Sequence, residues 1–318
     1  MRCLILINSA AGGVAACGAD ALADALTEAA AEAGWSSDVV KAGPDELAAA
    51  MRAFNKADAV ACAGGDGTIA ALAPAAIDKG VPIIPLPCGT MNLFARDLGL
   101  PPGPREALRA ALECGAPSRA DLGIVETAEH GRSAFLNNIV FGPYAELAEA
   151  REKLRDAASV ADTGAAIVEA AAALINAAPK PHVVTLDHER IVMQTNTIVV
   201  ANNCYTECID LAPRRACLDS GRLALYLVRA DGAVSFAARL VEFLNGTLDN
   251  SAMIDLRVGR RCTVERPDEP LAYAVDGERR QTQGPVAMRL SPRALRVLAP
   301  AERRAALREA RSLESAAP

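Results

Sequence analysis

Short apolar runs alternate with alanine-rich stretches of helical period through the first 125 residues. CLILI (3–7), SDVVKA (37–42), ADAVACAG (57–64) and VPIIPLP (81–87) read as strands. Between them Ala19–Ala33, Asp45–Lys56, Thr68–Lys79 and Pro104–Cys114 read as helices. Strands separated by helices predict a parallel sheet covered on both faces. The ligand crevice of such a sheet lies beyond the carboxyl ends of its strands.

From about Asp121 the pattern changes. DLGIVET, RSAFLNNIVFG, HVVTLD, RIVMQTNTIVVANN, GRLALYLV, DLRVGRRCTVE, LAYAVDGE and VAMRLSP are strand-like runs separated by turn residues. Helical insertions are expected at Tyr144–Ala178, broken near Thr163 and Gly164, and at Ala233–Leu244. The expected architecture is an α/β nucleotide-binding domain over 1–122 and a β-rich, sandwich-like domain over 123–299. A charged helix or tail over 300–318 is expected to return toward the first domain.

Composition narrows the function classes. No apolar stretch approaches the ~20 residues of a membrane-spanning helix, and CLILI is too short for the core of a signal peptide. The nine cysteines form no CxxC pair and suit reduced thiols in the cytoplasm. Cys204 and Cys208, a CxxxC without a second pair, do not make a zinc signature. A net charge of −6, 3% aromatics and no basic cluster speak against nucleic acid as a partner. His130, His182, His188 and Trp35 read as turn or packing residues, and the Arg214–Arg215 pair as solvated surface or a phosphate contact.

Three polar, glycine-containing loops follow predicted strands. They are INSAAGG (7–13), GGDGT (64–68) and PLPCGTMNLFARDLGLP (85–101). Glycine lets phosphate oxygens approach backbone N–H groups, and a helix N-terminus adds positive potential. Asp66 would repel a polyphosphate unless a cation lies between them, which Mg2+ supplies. Read alone, Asp66 is equally an N-cap of its own helix, and VDGE (275–278) a plain hairpin turn.

In this order INSAAGG, GGDGTIAAL, PLPCGTMNLFARDLGLP, FLNNIVFGPYAEL, APRRACLDSGRLALYLV and VDGE resemble the diacylglycerol kinase catalytic-domain family, particularly its bacterial lipid kinases. The resemblance runs from Leu4 to about Pro300. GTMNLFARDLGLP is its most specific piece, because NAD kinases and phosphofructokinases share the GGDGT loop. It implies an ATP- and Mg-dependent kinase of a lipid alcohol, with diacylglycerol the default acceptor. By this resemblance Asn8, Gly65, Asp66, Gly67, Thr68, Thr90 and Asn92 surround ATP, and Asp66 serves the metal. Asp276 is the expected general base, with Glu278 the alternative base or metal partner. The alternatives are a kinase of NAD or another soluble alcohol, and an inactive nucleotide-binding regulator.

Three features depart from the family pattern. Ala70 and Ala71 replace a polar pair such as Asn-Glu after GGDGT. Ser220 stands before Gly221 where relatives carry an aspartate of a second-domain magnesium site; Asp219, one position earlier, is the candidate ligand here. The 144–178 insertion interleaves Arg151, Lys153 and Arg155 with acids. Weak, salt-sensitive peripheral contact with a membrane is therefore expected. A second copy of the chain is also admitted as a partner.

Overall fold

The computed structural model describes residues 1–54, 56–142, 179–195, 197–205, 214–228, 254–267 and 269–300. The insertions expected at 144–178 and 233–244, the terminal helix and Cys208 lie outside these residues. Among the described residues no helix is long and apolar enough to cross a membrane, and eight cysteines are free thiols.

The first domain follows the expected alternation. Strands β1 (Arg2–Asn8), β2 (Ser36–Ala42), β3 (Ala59–Gly64) and β4 (Ile83–Pro87) form a parallel sheet in the order β2-β1-β3-β4. Helices α2 (Ala19–Glu32), α3 (Pro44–Ala53), α4 (Asp66–Lys79) and α6 (Pro104–Cys114) connect or cover the strands. Every residue of β3 is buried, as a continuous apolar run in a parallel sheet requires. Two short helices, α1 (Gly12–Cys17) and α5 (Leu93–Asp97), stand at the strand ends. The first falls where the sequence pattern suggested only a loop. α4 stops at Gly80, whose left-handed φ of 67° allows its N–H to reach Ile77 O.

β5 (Gly115–Thr127) runs through the expected 122/123 junction and pairs along β16 (Val286–Pro300). At its far end β16 lies parallel to β4, Val297 opposite Ile83, and buries Leu295, Val297, Leu298 and Ala299 in the first core. The two domains thus share one ten-stranded sheet. Its second-domain portion contains β6 (Gly131–Phe135), β8 (Lys180–Leu186), β9 (Glu189–Thr195) and β13 (Arg261–Glu265). Opposite it lies an antiparallel sheet of six strands. These are β7 (Asn138–Phe141), β10 (Thr197–Asn202), β11 (Leu223–Val228), β12 (Ile254–Gly259), β14 (Leu271–Val275) and β15 (Glu278–Thr282), in the order β12-β11-β10-β7-β14-β15. Phe135, Val184, Cys262 and Met288 from one sheet meet Phe141, Leu225 and Tyr273 from the other in a single sandwich core.

Three runs expected as single strands, 132–142, 190–203 and 255–265, each divide in two. β6 passes to β7, β9 to β10 and β12 to β13, and each division carries the chain from one sheet to the other. Alternation of apolar residues does not register such a corner, because both halves face the same core.

Candidate active site

The carboxyl ends of β1, β3 and β4 place the three glycine-containing loops together. The loops close largely on one another. Asn8, at the end of β1, donates from Nδ2 to Thr68 Oγ1 (2.8 Å) and accepts from Ala10 N (3.0 Å). Asn92 has a left-handed φ of 50° and braces its own turn through both atoms of its amide, to Gly89 N (2.8 Å) and Gly89 O (2.7 Å). Gly65 and Gly89 meet backbone to backbone, and a Cβ on Gly89 would stand 2.4 Å from Gly65 Cα. Gly89→Ala is therefore expected to push the loops apart, with a loss of about 1–3 kcal/mol. A denaturant titration with and without Mg-ATP checks both the stability loss and the expected weakening of nucleotide binding.

Asp66 is buried, and its carboxylate accepts from Leu93 N (3.0 Å) and Phe94 N (2.9 Å). It therefore caps the N-terminus of α5, not of its own helix, and satisfies two donors that a helix start leaves orphaned. Burial pushes its pKa up, against the pull of these bonds and one from the Asn137 side chain.

Asp276 and Gly277 form the two-residue turn between β14 and β15, with φ of 47° and 92°. Positive φ at both positions is what the tight hairpin requires. The same turn drives the Asp276 carboxylate into a nest of backbone donors: Leu136 N (2.7 Å) to Oδ2, Asn137 N (2.8 Å) and Asn138 N (3.0 Å) to Oδ1. Burial, reinforced by the nearby Asp66 carboxylate, pushes its pKa up to about 6 despite those three donors. Glu278, two residues on, is left exposed. Its Oε1 lies over the GGDGT loop, 2.6 Å from where a Cβ on Gly67 would stand. Its Oε2 is 3.4 Å from an Arg280 Nη, and Arg280 also donates to Ser133 Oγ (2.8 Å).

A cavity of about 300 Å3 lies between the loops and this hairpin. Asn8, Gly67, Thr68, Asp276, Glu278 and Arg280 give it a polar end, while Pro44, Ala70, Ala71 and Ala134 supply small apolar surfaces. Thr90 is exposed and outside this lining. Asp219 is also elsewhere. Its carboxylate lies 3.7 Å from Arg293 Nε and accepts from Cys217 Sγ (3.5 Å). Among the described residues no three His, Cys, Asp or Glu side chains gather as a metal cage. A cation that arrives on nucleotide phosphates and takes one or two protein oxygens fits the polar end better than a dedicated site.

Arg215 is one of the most deeply buried side chains. Its Nε donates to Asp97 Oδ2 (2.6 Å), Nη1 to Leu136 O (2.6 Å) and Asn202 O (2.9 Å), and Nη2 to Asn137 Oδ1 (2.7 Å). The pair read from the sequence as solvated or phosphate-binding is therefore split, with Arg214 exposed and Arg215 in the interior. Arg215 closes a ring: Asp66 holds the start of α5, Asp97 ends it, and Asn137 returns to Asp66 while its backbone holds Asp276.

Profiles of two known families cover most of the chain. The diacylglycerol kinase catalytic domain matches residues 2–125, and the YegS C-terminal NAD kinase beta sandwich-like domain matches 142–299. The chain belongs to the diacylglycerol kinase catalytic-domain family. Its membership makes it a lipid kinase. A diacylglycerol kinase from Bacillus anthracis str. Sterne is 18% identical, with a TM-score of 0.65 over 95% of this chain and 97% of that one. Two structures from the same strain, provisionally assigned as diacylglycerol kinases, are 18% and 20% identical, with TM-scores of 0.68 and 0.66. They cover 94% and 95% of this chain, and 97% and 98% of their own. At such identities these likenesses bear on the fold, which they share across both domains.

Proposed function

We propose that the chain transfers the terminal phosphoryl group of ATP, with Mg2+, to the hydroxyl of a diacylglycerol-like lipid. The observation that carries this reading is the placement of Glu278. Its carboxylate stands exposed in the cleft against the turn of GGDGT, where phosphates would approach the backbone N–H groups. Glu278 is thus the better-placed base, and Asp276, held by three backbone donors, shapes the turn that presents it. The acceptor oxygen attacks the terminal phosphorus and the bridging P–O bond to the leaving diphosphate breaks. The acceptor's proton passes to Glu278. Arg280 Nη, 3.4 Å from Glu278 Oε2, braces that carboxylate beside the cleft. Magnesium, when bound, would neutralise charge on the transferring phosphates, and Asp66 would help to hold it through water. Asn8, Thr68 and Asn92 act mainly by fixing the loops. We do not carry Asp219 forward as a metal ligand, since Arg293 already balances it.

The test is incubation of the purified protein with radiolabelled ATP and magnesium in parallel with diacylglycerols, sphingoid bases, phosphatidylglycerol and NAD. Label in diacylglycerol is the expected result. Label in NAD alone would favour the soluble-alcohol reading, which the NAD kinase-like second domain keeps in view. No labelled product with any acceptor would favour a regulator.

A further inference from the structure

Phosphoryl transfer brings a highly charged group to a cleft that is itself acidic. Asp276 and Glu278 line the cavity, and the buried Asp66 carboxylate lies close enough to Asp276 to help raise its pKa. A terminal phosphate carries roughly two negative charges. Repulsion from Glu278 opposes its approach unless cations offset both. Among the described residues that line the cavity, Arg280 is the one cation.

The fold anchors that guanidinium and leaves most of it uncommitted. Along β15, Arg279 separates Glu278 from Arg280, so the alternation of a strand puts Glu278 and Arg280 on the same side. Arg280 Nη1 donates from the six-stranded sheet to Ser133 Oγ on β6 of the other sheet (2.8 Å), and Nη2 stands 3.4 Å from Glu278 Oε2. A guanidinium offers five N–H donors in a planar fork. The rest of them have no partner among the described residues. A base lies about 2.6–3.2 Å from the hydroxyl it deprotonates, and the attacked phosphorus about 3–3.5 Å from that oxygen. The acceptor and Arg280 therefore flank one carboxylate, with the spare donors of the fork beside the phosphoryl group.

We propose that Arg280 binds the terminal phosphate of ATP, the group to be transferred. This rests on the reading of the cleft as the site of transfer from ATP, but not on which alcohol accepts. The planar fork suits two phosphate oxygens at once. The guanidinium stays protonated throughout, so the acceptor's proton still passes to Glu278. An arginine confined to bracing Glu278 would touch no nucleotide, and that difference can be measured without an acceptor.

Calorimetric titration with Mg-ADP, and with the magnesium complex of the non-hydrolysable imido analogue of ATP, tests the proposal. Arg280→Gln is expected to weaken binding of the triphosphate about 10- to 100-fold, the usual worth of a hydrogen bond between charged groups, and to leave Mg-ADP within about twofold of wild type. Arg280→Lys keeps the charge but not the fork. It should show a smaller loss, again confined to the triphosphate. Should the Gln variant melt early, the Lys variant decides. Equal weakening of both nucleotides, or unchanged affinity for both, in a variant that melts like wild type would overturn the proposal while leaving ATP as the donor. Wild-type protein that binds neither nucleotide would overturn the ATP reading itself, and the proposal with it.

Discussion

Glu278→Gln is expected to lower turnover by on the order of 10²–10⁴, the usual contribution of a general base, while leaving ATP affinity within a few-fold of wild type. Gln keeps the size of the side chain and its reach over Gly67 but cannot accept the acceptor's proton. The effect should be larger than that of Ser133→Ala, which removes only a support of Arg280. The comparison with Asp276→Asn separates chemistry from architecture. Three backbone N–H groups converge on the Asp276 carboxylate, and an amide offers one oxygen to them and turns its NH2 against the rest. Asp276→Asn should therefore lower the melting temperature as well as turnover, whereas Glu278→Gln should melt like wild type. Rates at saturating Mg-ATP, set beside melting curves, decide between them. Full turnover in Glu278→Gln would remove this residue from the chemistry.

Much of the framework was legible from the residues alone, because the period of apolar positions in the first domain is imposed by packing on both faces of a parallel sheet. β1 to β4 and α2, α3, α4 and α6 lie within a few residues of their expected spans. β15 was not legible. ERRQT is polar because it is an edge strand, and a polar edge has no alternation to read. The shared sheet was equally hidden: VAMRLSP looks complete at Pro292, but the strand resumes after a register shift and ends in the first core.

The site was legible as a set of loops and less so as a set of roles. Glycine spacing and the Asp-Gly turn fixed where GGDGT and VDGE would lie. The direction of each carboxylate depended on partners far away in the chain. Asp66 meets α5 twenty-seven residues on, and Asp276 meets the β6–β7 corner some 140 residues back.

Arg215 makes the sharpest case, because nothing in APRRACLDSGRL distinguishes it from its exposed neighbour Arg214. Arg215→Met is expected to cost about 3–5 kcal/mol, since it leaves the Asp97 carboxylate buried without its cation and frees two carbonyl acceptors. At roughly 2–4 °C per kcal/mol, the melting temperature should fall by on the order of 10 °C. Arg215→Lys should recover only part, because one ammonium cannot reach Asp97, Leu136, Asn137 and Asn202 from a single planar fork. Adding Asp97→Leu to Arg215→Met removes the stranded charge, and a substantial share of the stability should return. Turnover should not return with it. The paired variant still lacks the clamp on Asn137 and Leu136, the residues whose N–H groups hold the Asp276 turn that presents Glu278. A double variant that regains the wild-type melting temperature with turnover still depressed, at unchanged ATP affinity, would show Arg215 positioning the catalytic turn. Recovery of both together would reduce its role to holding the domains in place.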